Sequence, residues 1–112
     1  MIPEAQTLQI IKEKFDGIAI HETASTMANI HAISNYAVAC IDEGDNEGLQ
    51  QLMAAIDDIY GYCCPIVRTG LENVLFYNLG SRIAADDQRA ALEQLLPARI
   101  CSIIHKQFIA SL

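Results

Sequence analysis

The sequence predicts an all-α fold, a compact antiparallel bundle of about five helices. Three observations carry that prediction. Apolar residues recur at spacings of three and four, as in Leu49, Leu52, Met53, Ile56, Ile59, Tyr60 and Cys63, while Gln50, Gln51, Asp57 and Asp58 fill the polar positions between them. Proline, glycine and aspartate stand where such stripes begin and end. The one short apolar, β-tolerant segment, residues 17–22, cannot carry a sheet alone.

Taken in order, Pro3 suits the first turn of a helix, where its missing donor is not needed, and Glu4 adds a favourable charge. Leu8, Ile11 and Phe15 form its stripe, which stops near Gly17. Residues 17–22 then read as a connector. From Thr23 a long helix carries Met27, Ile30, Ile33, Ala37, Cys40 and Ile41 and ends at Gly44, a left-handed C-cap. Asp45 caps the next helix, with Glu47 in its first turn, so the two form an antiparallel hairpin.

Pro65 opens a further helix with the stripe Ile66, Val67, Gly70, Leu71, Val74 and Leu75 or Asn78, ending near Gly80. Gly70 in a helix interior costs about 1 kcal/mol relative to Ala and marks close approach by another helix. Residues 81–85 read as a brief turn. Asp86 and Asp87 supply an acidic N-terminus for a helix bearing Leu92, Leu95 and Leu96. Pro97 interrupts it, while Ile100, Ile103, Ile104 and Phe108 resume the stripe, either across a kink or in a second abutting helix. No internal repeat or flexible linker is visible, and residues 1–112 read as a single helical domain.

Composition narrows the function. Hydrophobic residues make up 52% of the 112 and charged residues 19%, which leaves apolar surface for a partner or for a second copy of the chain, a homodimer. Fourteen acidic against seven basic residues give a formal charge of -7, which disfavours nucleic acid and anionic membrane and steers a basic protein partner inward. The start of the chain lacks a secretory pattern, and no apolar run approaches the roughly 18 residues that span a bilayer. Four cysteines without CxxC spacing point to a reduced, cytoplasmic setting.

Catalytic and cofactor chemistry find no motif. His21, His31 and His105 lack zinc-ligand spacing with the cysteines, and vicinal Cys63 and Cys64 do not readily share one tetrahedral ion. Cys101 and His105 are four apart and within reach on one helix, with Lys106 the nearby cation, but no nucleophile motif surrounds them. Residues 42–48, DEGDNEG, fail the calcium-loop pattern and are explained by helix capping. No phosphate loop, hydrolase elbow or di-iron pattern occurs. The expectation is a protein that is not an enzyme and holds no metal or cofactor.

The acidic residues Asp42, Glu43, Asp45, Glu47, Asp57 and Asp58 are the candidates for steering a partner. Tyr60, Tyr62 and Tyr77 are the candidate anchors, since tyrosine is enriched at binding hot spots. Glu72 joins them, four residues from Arg68 and close in sequence to Tyr77 and Asn78.

The order of elements from about residue 32 to 108 adds a further pointer: ISNYAVACIDEGDNEGLQQLMAAIDDIYG, then VLFYNLG, then LLPARICSIIHKQF. This order resembles that of small acidic helical bacterial proteins of the polymorphic-toxin immunity type and related uncharacterised families. The resemblance implies binding and neutralisation of a protein partner. A homo-oligomeric structural module is the alternative reading, and a bundle with a small-ligand cavity between helices is a third.

Overall fold

The structure, a computed structural model, describes residues 3–110. Among them are six helices and no strand. The first, α1 (Glu4–Lys14), follows Pro3 and buries Leu8 and Ile11, while Thr7 hydroxyl donates to the Pro3 carbonyl at 3.0 Å. The connector over 17–22 is irregular, but its Ile18 and Ile20 are buried like core residues. Asn29 holds it in place: its buried side-chain amide donates to the His21 carbonyl and accepts from the His21 N–H, both at 3.0 Å. One side chain thereby holds both backbone groups of His21, whose carbonyl also accepts from the Ala24 N–H at 3.2 Å.

The second helix, α2 (Thr26–Asp42), starts three residues later than Thr23 because the Ser25 hydroxyl accepts from the Ala28 N–H and caps it. It ends as expected at Gly44, which has φ 71° and is the only positive-φ glycine among the described residues. The Asp45 N–H donates to the Cys40 carbonyl and the Gly44 N–H to that of Ile41, the paired bonds of a Schellman ending. Asp45 then caps α3 (Asn46–Tyr60), accepting from the Gly48 N–H at 2.9 Å. Leu49, Leu52, Met53, Ile56 and Ile59 all point inward, so α3 packs its apolar stripe back along α2.

The central element is α4, residues 65–84. It begins at Pro65, widens into a π-helical segment, Leu71–Phe76, and returns to α geometry over Tyr77–Ala84. Gly80 therefore lies inside a helix, and residues 81–84 are not the turn that the sequence pattern indicates. The reason is tertiary. A Cβ on Gly80 would lie 2.4 Å from Phe108 Cε2 and 2.8 Å from Ile104 Cγ2, so this glycine admits a neighbouring helix and does not end its own. Gly70 does the same for Ile30 of α2, as its interior position predicts.

Two short connections follow. Asp86 accepts from the Gln88 N–H at 2.8 Å within a turn, and α5 is only Arg89–Glu93. The expected longer helix through Leu95 and Leu96 is cut short before Pro97, and α6 (Ala98–Ala110) is a separate helix. Leu92, Leu96, Ile100 and Ile104 are buried, whereas Leu95 is half-buried. Met27 and Ile66 leave their predicted stripes and are 43% and 56% exposed. Both lie near N-terminal helix ends and line one surface depression.

The α2 and α4 helices run side by side in the same direction, since α3 lies between them in sequence. Gly70 meets Ile30 near one end, Asn78 donates to Ser34 Oγ at 3.1 Å midway, and Arg82 pairs with Asp42 at the other. Helix α6 runs against α4, with Gln107 beside Glu72 and Ile104 beside Gly80. No helix among the described residues is long and apolar enough to cross a membrane.

Candidate functional site

The corner where α2 turns into α3 carries the densest run of acidic side chains, and it does so because helix chemistry places them there. Aspartate and glutamate at an N-terminus complement the helix dipole, and the Schellman turn leaves Glu43 and Asp45 at the surface. Glu43, Asp45 and Glu47 are exposed. Asp42 is exposed too, but its carboxylate accepts from Arg82 Nε at 2.9 Å, so part of its charge is neutralised.

Glu43 and Asp45 form the rim of a groove of about 470 Å³. Its floor is made by small residues, Gly17, Ala19, Ala32 and Ala39, and by the half-buried ring of Tyr36, which packs against Phe15 with centroids 6.3 Å apart. The field of the rim reaches the floor. Burial raises the Cys40 thiol pKa, and the charges of Asp45 and Glu43 raise it further. Tyr36 is raised by burial first, then by Cys40, Asp45 and Glu43. A cationic side chain entering the groove would meet that same negative potential as attraction.

The sequence pattern missed Tyr36 and its small neighbours. The signal was present as a second stripe on α2: Ala32, Asn35, Tyr36, Ala39 and Glu43 recur at three- and four-residue spacing beside the core stripe. Alanines on such a face look like ordinary helix formers until a tyrosine and two carboxylates are seen to enclose them.

The other candidate residues are divided between exposure and internal pairing. Asp58 is exposed, but Asp57 is held by Arg99, whose Nε donates to its carboxylate at 3.0 Å and whose Nη2 donates to its carbonyl. Replacing Asp57 and Asp58 together would therefore loosen the tie between α3 and α6 as well as remove charge. Tyr60 is not an open anchor. Its hydroxyl donates to Glu72 at 2.6 Å, its ring packs on Phe76, and the Arg68 and Arg99 guanidinium carbons lie 5.5 and 5.3 Å from its centroid.

Arg68 and Glu72, four residues apart on one helix, turn to Tyr60 instead of to each other: Glu72 is engaged by its hydroxyl, and Arg68 lies over its ring as a cation–π partner. Glu72 stands in the first turn of the π-helical segment. The Glu72 side chain reaches Tyr60 on α3, while its carbonyl accepts from Gln107 Nε2 on α6 at 2.8 Å. Tyr62 is 68% exposed, and Tyr77 is 50% exposed with its ring stacked on Phe108.

Burial and the Glu72 hydrogen bond push the Tyr60 pKa up to about 12. A raised tyrosine pKa favours the folded state while the ring stays neutral. Its contribution is complete below the ordinary pKa near 10 and is lost as pH rises through about 12. Tyr60→Phe is expected to cost about 1–2 kcal/mol, since it strips a half-buried carboxylate of its donor, and to reduce the late phenolate absorbance in an alkaline titration by one tyrosine. A titration unchanged by the substitution would contradict this assignment.

Among the described residues no group of three or more His, Cys, Asp and Glu side chains is arranged to hold a metal ion. No curated protein and no solved structure matches the chain. Residues 3–110 match the family described as a domain of unknown function, DUF7674, and the chain belongs to that family.

Proposed function

We propose that the protein binds a protein partner without acting as an enzyme, receiving a basic side chain of that partner in the acidic groove at the α2–α3 corner. The observation that supports this reading is the joint presence of a tyrosine face, a small-residue floor and the exposed Glu43 and Asp45 rim. A lysine or arginine stem fits against alanine, and its charge meets carboxylates and an aromatic ring. The immunity-like form of this function is capture and neutralisation of a basic protein in the cytoplasm. Exposed Tyr62 and Tyr77 would add apolar contact at the periphery.

Affinity capture from the native host at two salt concentrations, with Glu43→Lys as the control bait, tests the proposal. A basic protein retained by the wild type, released by salt and lost with the variant is the expected result. Once that partner is purified, Glu43→Gln with Glu47→Gln should slow association at low salt by roughly fivefold and flatten its salt dependence. Equal retention by Glu43→Lys, or unchanged association kinetics, would refute the acidic-groove reading. Native mass spectrometry of the same preparation reads self-association directly: a stable dimer would favour the homo-oligomeric module.

A further inference from the structure

A second concavity lies between the C-terminal part of α4 and α6, and it shares no lining residue with the acidic groove. Its volume is about 350 Å³, within the range of about 300–1,000 Å³ typical of small-molecule sites. Small residues create it. Ala84 and Cys101 stand where larger side chains would fill the space between the two helices, while Ile83, Leu96, Ile104 and Phe108 supply apolar walls.

The mouth is polar and cross-linked. Arg89 Nε donates to Glu93 Oε1 at 3.2 Å, and His105 Nε2 meets the same oxygen at 3.2 Å. Glu93 is accordingly held below its ordinary pKa, by the His105 contact first and then by Arg89, against the opposing effect of burial. Cys101 Sγ lies 3.8 Å from His105 Nε2. A carboxylate only accepts, so Nε2 carries a proton in its contact with Glu93 and is not free to take one from the thiol. The Cys101 pKa is moreover raised, by burial and then by the Glu93 charge. The trio is thus a poor nucleophile system but a well-formed polar rim.

One donor on that rim has capacity to spare. A guanidinium has five N–H groups, and Arg89 uses Nε on Glu93, leaving its terminal nitrogens for a second acceptor. In a chain of net charge -7, an arginine held through Nε by Glu93, with its terminal nitrogens left above an apolar groove, is a local bidentate site for an anionic head. We propose that the α4–α6 groove binds an amphiphilic monocarboxylate, with its hydrocarbon part against Ile83, Leu96, Ile104 and Phe108 and its carboxylate on the terminal nitrogens of Arg89.

Octanoate is the probe, and 1-octanol is its uncharged counterpart. Calorimetric titration should show saturable one-to-one octanoate binding, at least tenfold tighter than octanol. Arg89→Gln should weaken octanoate about tenfold and leave octanol unchanged. Ala84→Leu, at an exposed position on the groove wall, should abolish binding of both, with circular dichroism confirming that the variant is folded. Absence of saturation below the micellar range would overturn the site. Equal affinity for octanol would overturn the anionic head, and an unaffected Ala84→Leu variant would overturn the location.

Discussion

Phe76→Ala is expected to remove about 3–5 kcal/mol from the unfolding free energy. Phe76 is among the largest fully buried side chains, sits at the end of the π-helical segment and packs against Tyr60 with ring centroids 5.7 Å apart. Its removal costs the transfer energy of a whole ring and leaves a space that the π turn, held by Gln107 and Tyr60 through Glu72, resists closing. Small domains have about 5–15 kcal/mol in total, so the variant will be close to unfolding at ordinary temperature. Urea denaturation measures the effect, with Phe76→Leu as the milder comparison at about 1–2 kcal/mol. A loss below about 1.5 kcal/mol for alanine would show that the core collapses around the site.

Gly80→Ala is expected to destabilise the fold by about 1–3 kcal/mol, although alanine in a helix interior is ordinarily favoured over glycine by about 1 kcal/mol. The new Cβ would meet Phe108 Cε2 and Ile104 Cγ2 at distances that real atoms do not tolerate, so α6 must shift or Phe108 must rotate. A double-mutant cycle with Phe108→Leu separates packing from backbone effects. If close approach is the cause, the double variant recovers a substantial part of the loss. If Gly80 mattered for its backbone freedom, the two substitutions would simply add.

The same glycine shows where sequence reading succeeds and where it fails. Gly44 and Gly80 both follow apolar helical stripes, and both look like helix ends. Gly44 is one, with φ 71° and a Schellman turn that its neighbours complete locally. Gly80 is not, because its reason for being glycine lies on α6, more than twenty residues later. Caps such as Asp45, helix starts such as Pro65 and the α3 stripe were legible because each depends on residues within a turn or two of itself.

The candidate site divides along the same line. The acidic corner was readable, since Asp42, Glu43, Asp45 and Glu47 are contiguous in sequence and capping chemistry puts them at a surface. Which carboxylates remain available was not. Asp42 meets Arg82, Asp57 meets Arg99 and Glu72 meets Tyr60, pairings that span 40, 42 and 12 residues. Tyr36 emerged as the floor of the acidic groove only after Gly17 and Ala19 were brought beside α2.

By itself the sequence determined the all-α class, most helix starts, the hairpin at Gly44 and Asp45, and a surface of strongly negative charge. These follow from side-chain spacing, backbone permissions and a sum of charges, all of which act locally or add without regard to geometry. The tertiary structure alone decided that residues 65–84 form one helix with a π-helical centre, that α2 and α4 run in the same direction, and that two concavities open at places lined by small residues. Those outcomes depend on which helix faces which. A glycine, an arginine or a tyrosine acquires its role only from the partner that packing brings within a few ångströms.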